Sequence, residues 1–140
     1  MAMTMHLDVV SAEESLFSGT VEEIFAPGGM GDLGIMPRHT QLITTLKAGE
    51  LRYIASGEEH SLFVAGGILE VQPHVVTVLA DTALRAEDLD AAKAQEAQEA
   101  AERALEGKDP EDLDYEALQT ELEAAKAQIE MLHKIGKSLK

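Results

Sequence analysis

Five histidines are the side chains best suited to hold a metal ion, but their spacing is wrong for a metal site. They are His6, His39, His60, His74 and His133. No two of them fall within one turn of a helix, and the chain has no cysteine. A closed zinc site would therefore have to be completed by carboxylates. We expect no metal centre and no cofactor.

Serine and carboxylate side chains are the other groups that could act in catalysis. None of the serines lies in the context of a nucleophile elbow, and no glycine-rich run leads into a Lys-Ser or Lys-Thr pair. Adjacent carboxylates such as Glu22 and Glu23 point to opposite faces if they lie in a strand. We expect no catalytic residue, so any enzyme activity would belong to a larger assembly.

The run from Gly31 to His39 combines turn residues, apolar residues and three ionisable groups, Asp32, Arg38 and His39. Glycine and proline specify the backbone of such a run, and an apolar, well-specified loop is typical of a surface that meets a partner. The alternative is a short strand whose inward positions are Leu33 and Ile35. The run by itself leaves both interpretations open.

Short runs rich in β-branched residues, separated by turn residues, extend as far as Arg85. They predict an N-terminal antiparallel β-sandwich or barrel over residues 1–86. The last of them, 75–79, shows little alternation and is interpreted as a buried strand. The predicted strands are residues 6–10, 21–26, 41–46, 50–54, 60–64, 68–71 and 75–79.

From Glu87 onward alanine, glutamate and leucine replace glycine, which predicts an antiparallel two-helix hairpin over residues 87–140. Gly107 is expected to end the first helix, and Asp109 and Pro110 to begin the second. Small residues are expected to line the first helix and a heptad-like stripe the second. The first set is Leu89, Ala92, Glu96, Ala97, Ala100, Arg103 and Ala104, and the second is Leu118, Leu122, Ala125, Ile129 and Leu132.

The net charge of −15 repels phosphate backbones and anionic lipid headgroups, so nucleic acid is excluded as a partner. No apolar run approaches the roughly 20 residues of a membrane helix, and we expect no direct insertion into a membrane. Lys126, Lys134 and Lys137 lie near the C-terminus. They form either a solvated end matched to the helix dipole or a basic tip that contacts an acidic partner.

Four ordered segments resemble the epsilon chain of bacterial F-type ATP synthases. They are His6-Leu7-Asp8-Val9-Val10-Ser11, Gly31-Asp32-Leu33-Gly34-Ile35-Met36-Pro37-Arg38-His39, Gly66-Gly67-Ile68-Leu69-Glu70-Val71 and Val76-Thr77-Val78-Leu79-Ala80-Asp81. The likeness runs from near residue 4 to the C-terminus. Arg38 departs from it, because relatives commonly have a small residue, often glycine, between that proline and histidine.

The resemblance implies a peripheral protein at the cytoplasmic face of the bacterial inner membrane, and a role for each half of the chain. The sandwich would contact the gamma subunit through Met36 and His39. It would contact the rotor ring of c subunits through Gly31, Asp32, Leu33 and Gly34. The hairpin would be a retractable arm that reaches the alpha and beta catalytic subunits when extended and inhibits ATP hydrolysis through Lys126, Lys134 and Lys137.

Some epsilon chains hold ATP with a Leu-Asp-x-x-Arg-Ala motif, which in this chain becomes Leu89-Asp90-Ala91-Ala92-Lys93-Ala94. Lysine lacks the bidentate fork of arginine, and the positions of the supporting arginines are Ala100, Ala124 and Gln128. Asp90 and Lys93 therefore form a weak nucleotide site, or Asp90 caps the helix and Lys93 is an exposed surface residue.

Three functions follow. The chain is a central-stalk and regulatory subunit of a proton-translocating ATP synthase, a free small-molecule sensor of ATP, or an acidic adapter protein. The first accounts for both halves of the chain.

Overall fold

The computed structural model describes residues 3–134. The chain divides into two compact units, the first ending at Ala86 and the second beginning at Glu87. In the described part of the first unit, eight strands form one sheet that folds over a shared core. The strands are β1 (Met5–Ser11), β2 (Ser15–Val21), β3 (Glu23–Gly28), β4 (Gly31–Ile35), β5 (Leu42–Thr45), β6 (Gly49–Ala55), β7 (Glu58–Val71) and β8 (Val75–Arg85).

The strand order is β2-β1-β8-β7-β6-β3-β4, with β5 paired to β7 away from this path. All pairs are antiparallel except β1 with β8, which is parallel with Val9 opposite Val78. The predicted β-sandwich is therefore confirmed, with one parallel pair that the run of short strands did not indicate. This pair joins the first and last strands of the unit.

The core of the sandwich is formed by alternate residues of each strand. In β1, Leu7 and Val9 are fully buried, whereas His6 and Asp8 face outward. The interpretation of residues 75–79 as a buried strand with little alternation is wrong. Val76 and Val78 are buried while Val75, Thr77 and Leu79 are not, so β8 alternates although its outward positions also carry apolar residues.

Two predicted strand boundaries are also wrong. Residues 21–26 span the end of β2 and most of β3, because the chain turns at Glu22. Residues 60–64 and 68–71 belong to the single strand β7, which passes through Gly66 and Gly67 in one register against β8. Along its other edge, β7 pairs with β6 before this glycine pair and with β5 after it. The pairing partner therefore changes while β7 itself continues.

The run from Gly31 to His39 is not one continuous loop. Its first five residues form β4, an end strand of the sheet, and Ile35 is fully buried in the core. Leu33 is half-buried against the same core. The alternative of a short strand is therefore correct for residues 31–35, and the loop begins at Met36.

The second unit contains two helices in contact, α1 (Ala91–Leu105) and α2 (Tyr115–Lys134), which confirms the predicted helical hairpin. Asp90 caps α1, since its Oδ1 accepts hydrogen bonds from the backbone N–H groups of Ala92 at 2.9 Å and Lys93 at 3.2 Å. Beyond α1, Gly107 adopts a φ of 75°, in agreement with its predicted role as a stop.

The predicted start of the second helix at Asp109 and Pro110 is wrong. The Asp109 Oδ1 accepts a hydrogen bond from the N–H of Glu111, and the N–H of Asp109 donates to Asp112 Oδ2. These bonds close a separate turn, because aspartate can satisfy nearby backbone groups without a helix. The helix begins later, and its first i to i−4 bond runs from the Leu118 N–H to the carbonyl of Asp114.

The predicted face of the first helix is also shifted. Within α1 the buried residues are Ala94 and Ala101. Of the predicted alanines, Ala92 is exposed, whereas Ala97, Ala100 and Ala104 line the groove between the two helices without being buried. Alanine occurs on every side of this helix, so its composition does not distinguish the packed face. The stripe predicted for α2 is closer to the structure. Its Leu122, Ala125 and Leu132 are buried, and Met131 joins them.

Candidate functional site

Among the described residues of the sandwich, the most exposed apolar side chain lies at the tip of the β3–β4 hairpin. Gly28 lies opposite Gly31, so Gly29 and Met30 form the turn between the strands. The Met30 side chain is 97% exposed. Sequence reasoning missed Met30, although the preceding Gly28-Gly29 pair is a turn signal that could have located it.

The four residues predicted to contact the rotor ring lie together on β4, beside this tip. Asp32 and Gly34 are exposed, whereas Gly31 and Leu33 are partly buried. The Asp32 carboxylate is 86% exposed and lies 3.9 Å from the Lys47 ammonium. A loose ion pair of this kind in water contributes little to stability, so Asp32 is not needed to hold the strand.

Met36 to His39 form a tight turn that carries the two residues predicted to contact the gamma subunit. The N–H of His39 donates to the Met36 carbonyl at 3.1 Å, and Pro37 occupies the second position. Arg38 holds a φ of 68° at the third position, which is the arrangement of a type II turn. This position favours glycine, and any other residue there lowers the stability of the fold by about 1 kcal/mol or more. The N–H of Arg38 also donates to the Pro73 carbonyl at 2.8 Å, which anchors the turn.

A serine, a histidine and an aspartate meet on the outward face of β1 and β2, a cluster that sequence reasoning missed. Ser18 Oγ donates to Asp8 Oδ1 at 2.6 Å, and the His6 Nε2 lies 2.9 Å from the same oxygen and 3.2 Å from Ser18 Oγ. A hydrolytic triad needs the carboxylate on one ring nitrogen and the hydroxyl on the other. Here both contact Nε2, so the cluster is structural.

This cluster predicts a weak dependence of stability on pH. The Ser18 hydrogen bond, followed by that from His6, lowers the pKa of Asp8 from its usual value of 3.8. A lowered folded-state pKa stabilises the fold above pH 3.8, and this contribution is lost as pH falls through the folded-state pKa. Because Asp8 is partly exposed, we expect Asp8→Asn to cost at most about 1 kcal/mol at pH 6.

Urea unfolding of wild type and Asp8→Asn between pH 3 and pH 6 measures this contribution. The two stabilities should converge toward the acid end of the range. A difference that is constant over the whole range would show that Asp8 acts through packing rather than through its charge.

A groove of about 460 Å³ between α1 and α2 occupies the place where the resemblance suggests nucleotide. Its lining includes Ala100, Ala124 and Gln128, and its charged residue is Glu121. No lysine or arginine is among the residues that line it, which are Ala97, Ala100, Ala101, Ala104, Leu118, Glu121, Ala124, Ala125 and Gln128. The Asp90 carboxylate is engaged as the helix cap. A phosphate would therefore meet no cation within this groove.

The structure places two of the three lysines assigned to the inhibitory arm. Lys126 is exposed on α2, and Lys134 is exposed in its last turn beside His133. Cations at this end complement the negative pole of the helix dipole. Lys137 lies outside the described residues.

Over residues 3–134, no three histidine, aspartate or glutamate side chains come together in a way that could hold a metal ion. Within the same range, neither helix combines the length and apolar character needed to cross a bilayer. What the described chain offers is exposed protein surface: a hairpin tip, a fixed turn and a pair of helices. The chain thus has two compact units, and its exposed features are typical of surfaces that contact other proteins.

Comparison with known proteins agrees with this class. Residues 4–86 match the model of the ATP synthase delta/epsilon chain β-sandwich domain, and residues 87–132 match that of its long α-helix domain. The chain belongs to the family of ATP synthase epsilon chains and is a non-catalytic subunit. It is 56% identical to the ATP synthase epsilon chain of Thioalkalivibrio sulfidiphilus, covering 96% of both chains, and 56% identical to that of Nitrosococcus oceani, covering 99% of both.

Solved structures share the fold at much lower identity. A chain in the Euglena gracilis mitochondrial ATP synthase, solved as OSCP/F1/c-ring, superposes with a TM-score of 0.81 at 21% identity, covering 93% of this chain and 82% of that one. A chain in the central stalk and c-ring of the Tetrahymena thermophila enzyme gives a TM-score of 0.60 at 13% identity, covering 96% of each.

Proposed function

We propose that this chain is a central-stalk subunit of a bacterial, proton-translocating F-type ATP synthase, peripheral to the cytoplasmic face of the inner membrane. In this role the sandwich couples the gamma subunit to the rotor ring of c subunits. The helical hairpin inhibits ATP hydrolysis when it extends toward the alpha and beta catalytic subunits. The observation that carries the proposal is the match of the whole chain, in both domains, to epsilon chains.

The β3–β4 hairpin supports the contact with the ring. Met30 lies in the turn before β4 and Asp32 lies on β4, an end strand that is held in place by Ile35 in the core and by the pairing with β3. Residues that are exposed and unnecessary for folding are free to meet a partner. We assign Gly31, Asp32, Leu33 and Gly34, together with Met30 at the tip, to this contact.

The Met36–His39 turn and the outward face of the sheet support a second protein contact. Ile43 is 69% exposed, and the cross-strand partners Ile68 and Leu79 are also exposed. Ile43 lies opposite Glu70, two residues along β7 from Ile68, so the three apolar side chains share a face. An exposed apolar group of this kind is typical of protein interfaces. The gamma subunit is the partner proposed for Met36 and His39.

Association with the gamma subunit tests this function. The tagged chain is incubated with a soluble complex of alpha, beta and gamma subunits that lacks an epsilon chain. We expect one copy to be retained per complex. Absence of binding under conditions where the relative from Nitrosococcus oceani binds would contradict the proposal and leave an acidic adapter in its place.

Replacement of Asp32 tests the ring contact. In vesicles that carry the complete enzyme, Asp32→Ala should reduce proton pumping driven by ATP while leaving thermal unfolding of the chain unchanged. The loss of affinity should not exceed about fivefold, because a single peripheral charge contributes about 1 kcal/mol or less. Glu58→Ala, which removes an exposed carboxylate at the β6–β7 turn, is the matched control. Equal pumping by the two variants would place the ring contact elsewhere.

A further inference from the structure

Arg38 occupies a backbone conformation that glycine adopts more readily, and the fold holds it there. Its φ is 68°, and its N–H is bound to the carbonyl of Pro73 in the turn between β7 and β8. The turn itself does not require an arginine side chain, since the hydrogen bonds that form it use backbone atoms. Residues held in such backbone conformations cluster at functional sites, so the Arg38 side chain is a candidate for a contact outside the turn.

The charge pattern of the sandwich sets Arg38 apart. Its described part contains four lysine and arginine residues, and three of them form an ion pair with a nearby carboxylate. The pairs are Arg52 with Glu59 at 2.9 Å, Arg85 with Glu14 at 3.6 Å and Lys47 with Asp32 at 3.9 Å. Among residues 3–86, the Arg38 guanidinium has neither an ion pair nor a hydrogen bond, and it is exposed. An exposed cation stays unpaired there although the whole chain carries a charge of −15.

The surroundings of Arg38 indicate what it binds. Met36, two residues before it, is 44% exposed, and methionine and arginine are both enriched in protein interfaces. A guanidinium fork fits a carboxylate or a phosphate. The net charge repels the dense phosphate arrays of nucleic acids and anionic membranes, whereas a single carboxylate on a protein surface can meet the guanidinium at short range.

We propose that Arg38 is a specificity residue that forms an ion pair with a carboxylate of the subunit docked at the Met36–His39 turn. This inference rests on the proposed function, in which that subunit is gamma. The carboxylate would lie within reach of the exposed guanidinium, and the pair would favour partners that carry it over partners that do not.

Binding of Arg38 variants to the soluble alpha–beta–gamma complex tests this inference. We expect Arg38→Gln to raise Kd about tenfold at low salt and to make the dependence of Kd on salt shallower. Lys47→Gln, which removes the same charge from the same domain, should change Kd by less than twofold. Arg38→Gly is the sharper variant, because it relieves the positive φ. It should raise the unfolding temperature of the chain and still bind as weakly as Arg38→Gln.

The outcomes separate the two proposals. If wild type binds and Arg38→Gln binds within twofold of it with the same salt dependence, the ion pair is refuted and the proposed function stands. If Arg38→Gly binds as tightly as wild type, the position matters only through its backbone and the ion pair is again refuted. If wild type itself does not bind, the proposed function fails first.

Discussion

ATP hydrolysis by the soluble alpha–beta–gamma complex is expected to be faster, by roughly 5-fold to 150-fold, with residues 1–86 than with the full chain. This range corresponds to a coupling free energy of about 1 to 3 kcal/mol between two sites. The sandwich would still occupy the stalk, while the arm that opposes hydrolysis would be missing. The prediction depends on the proposed inhibitory role of the hairpin.

The composition of the hairpin is suited to such an arm. Within α1 the buried side chains are two alanines, Ala94 and Ala101, and each buried CH₂ contributes only about 0.8 kcal/mol. Inhibition by a retractable element requires two arrangements whose free energies differ by a few kcal/mol. α1 therefore adds little to the cost of separating the two helices, and the larger buried side chains, Leu122, Met131 and Leu132, belong to α2.

Residues 1–86 are expected to fold without the hairpin, because they form one compact unit that matches a family domain of their own. Circular dichroism and retention on the alpha–beta–gamma complex check this before rates are compared. Lys126→Gln in the full chain is the partial variant, which should raise the rate less than removal of the whole hairpin. Equal rates with bound full-length and shortened chains would remove the inhibitory role and leave the stalk role intact.

Gly67→Ala is expected to lower the free energy of unfolding by about 2 to 6 kcal/mol, a large effect for a single methyl group. Gly67 has a φ of 118°, which L residues rarely adopt and which costs about 1 to 3 kcal/mol. An added Cβ would overlap the carbonyl oxygen of Leu79 and lie 2.8 Å from the Cα of Ala80. Both are backbone atoms of β8, and overpacking of this kind costs a further 1 to 3 kcal/mol or so.

Gly57→Ala is the matched control for this variant. Gly57 also has a positive φ, of 78°, but nothing lies within 4 Å of an added Cβ. It should therefore show the conformational cost alone, about 1 kcal/mol. Urea unfolding of both variants gives the difference. Similar losses for Gly67→Ala and Gly57→Ala would mean that β8 moves away from β7 without disrupting the sheet.

Some features of this chain could be predicted from short stretches of sequence, because their causes are local. The loss of glycine after Arg85 marks the change from strands to helices. The sequence offers Asp90 as a helix cap or as part of a nucleotide site, and a cap has only to reach two backbone N–H groups within three residues. Gly107 stops α1 for a similarly local reason, its positive φ.

Local sequence signals give a wrong prediction where two local backbone arrangements compete. Asp109 and Pro110 have the residue types of a helix start. A hydrogen bond from the Asp109 N–H to Asp112 Oδ2 closes a separate turn instead, and α2 begins at Tyr115. Both arrangements satisfy backbone donors near an aspartate. The choice between them depends on packing of the rest of the hairpin, which no short window contains.

The sequence by itself determined the two-domain organisation in outline, the sandwich and hairpin classes and the resemblance to epsilon chains, because composition, periodicity and ordered motifs are properties of the chain. Only the tertiary structure decided which residues meet. The antiparallel register of β1 and β2 brings His6 and Asp8 to Ser18. The same level of structure leaves Arg38 unpaired at a positive φ, since pairing and exposure depend on strands that are distant in sequence.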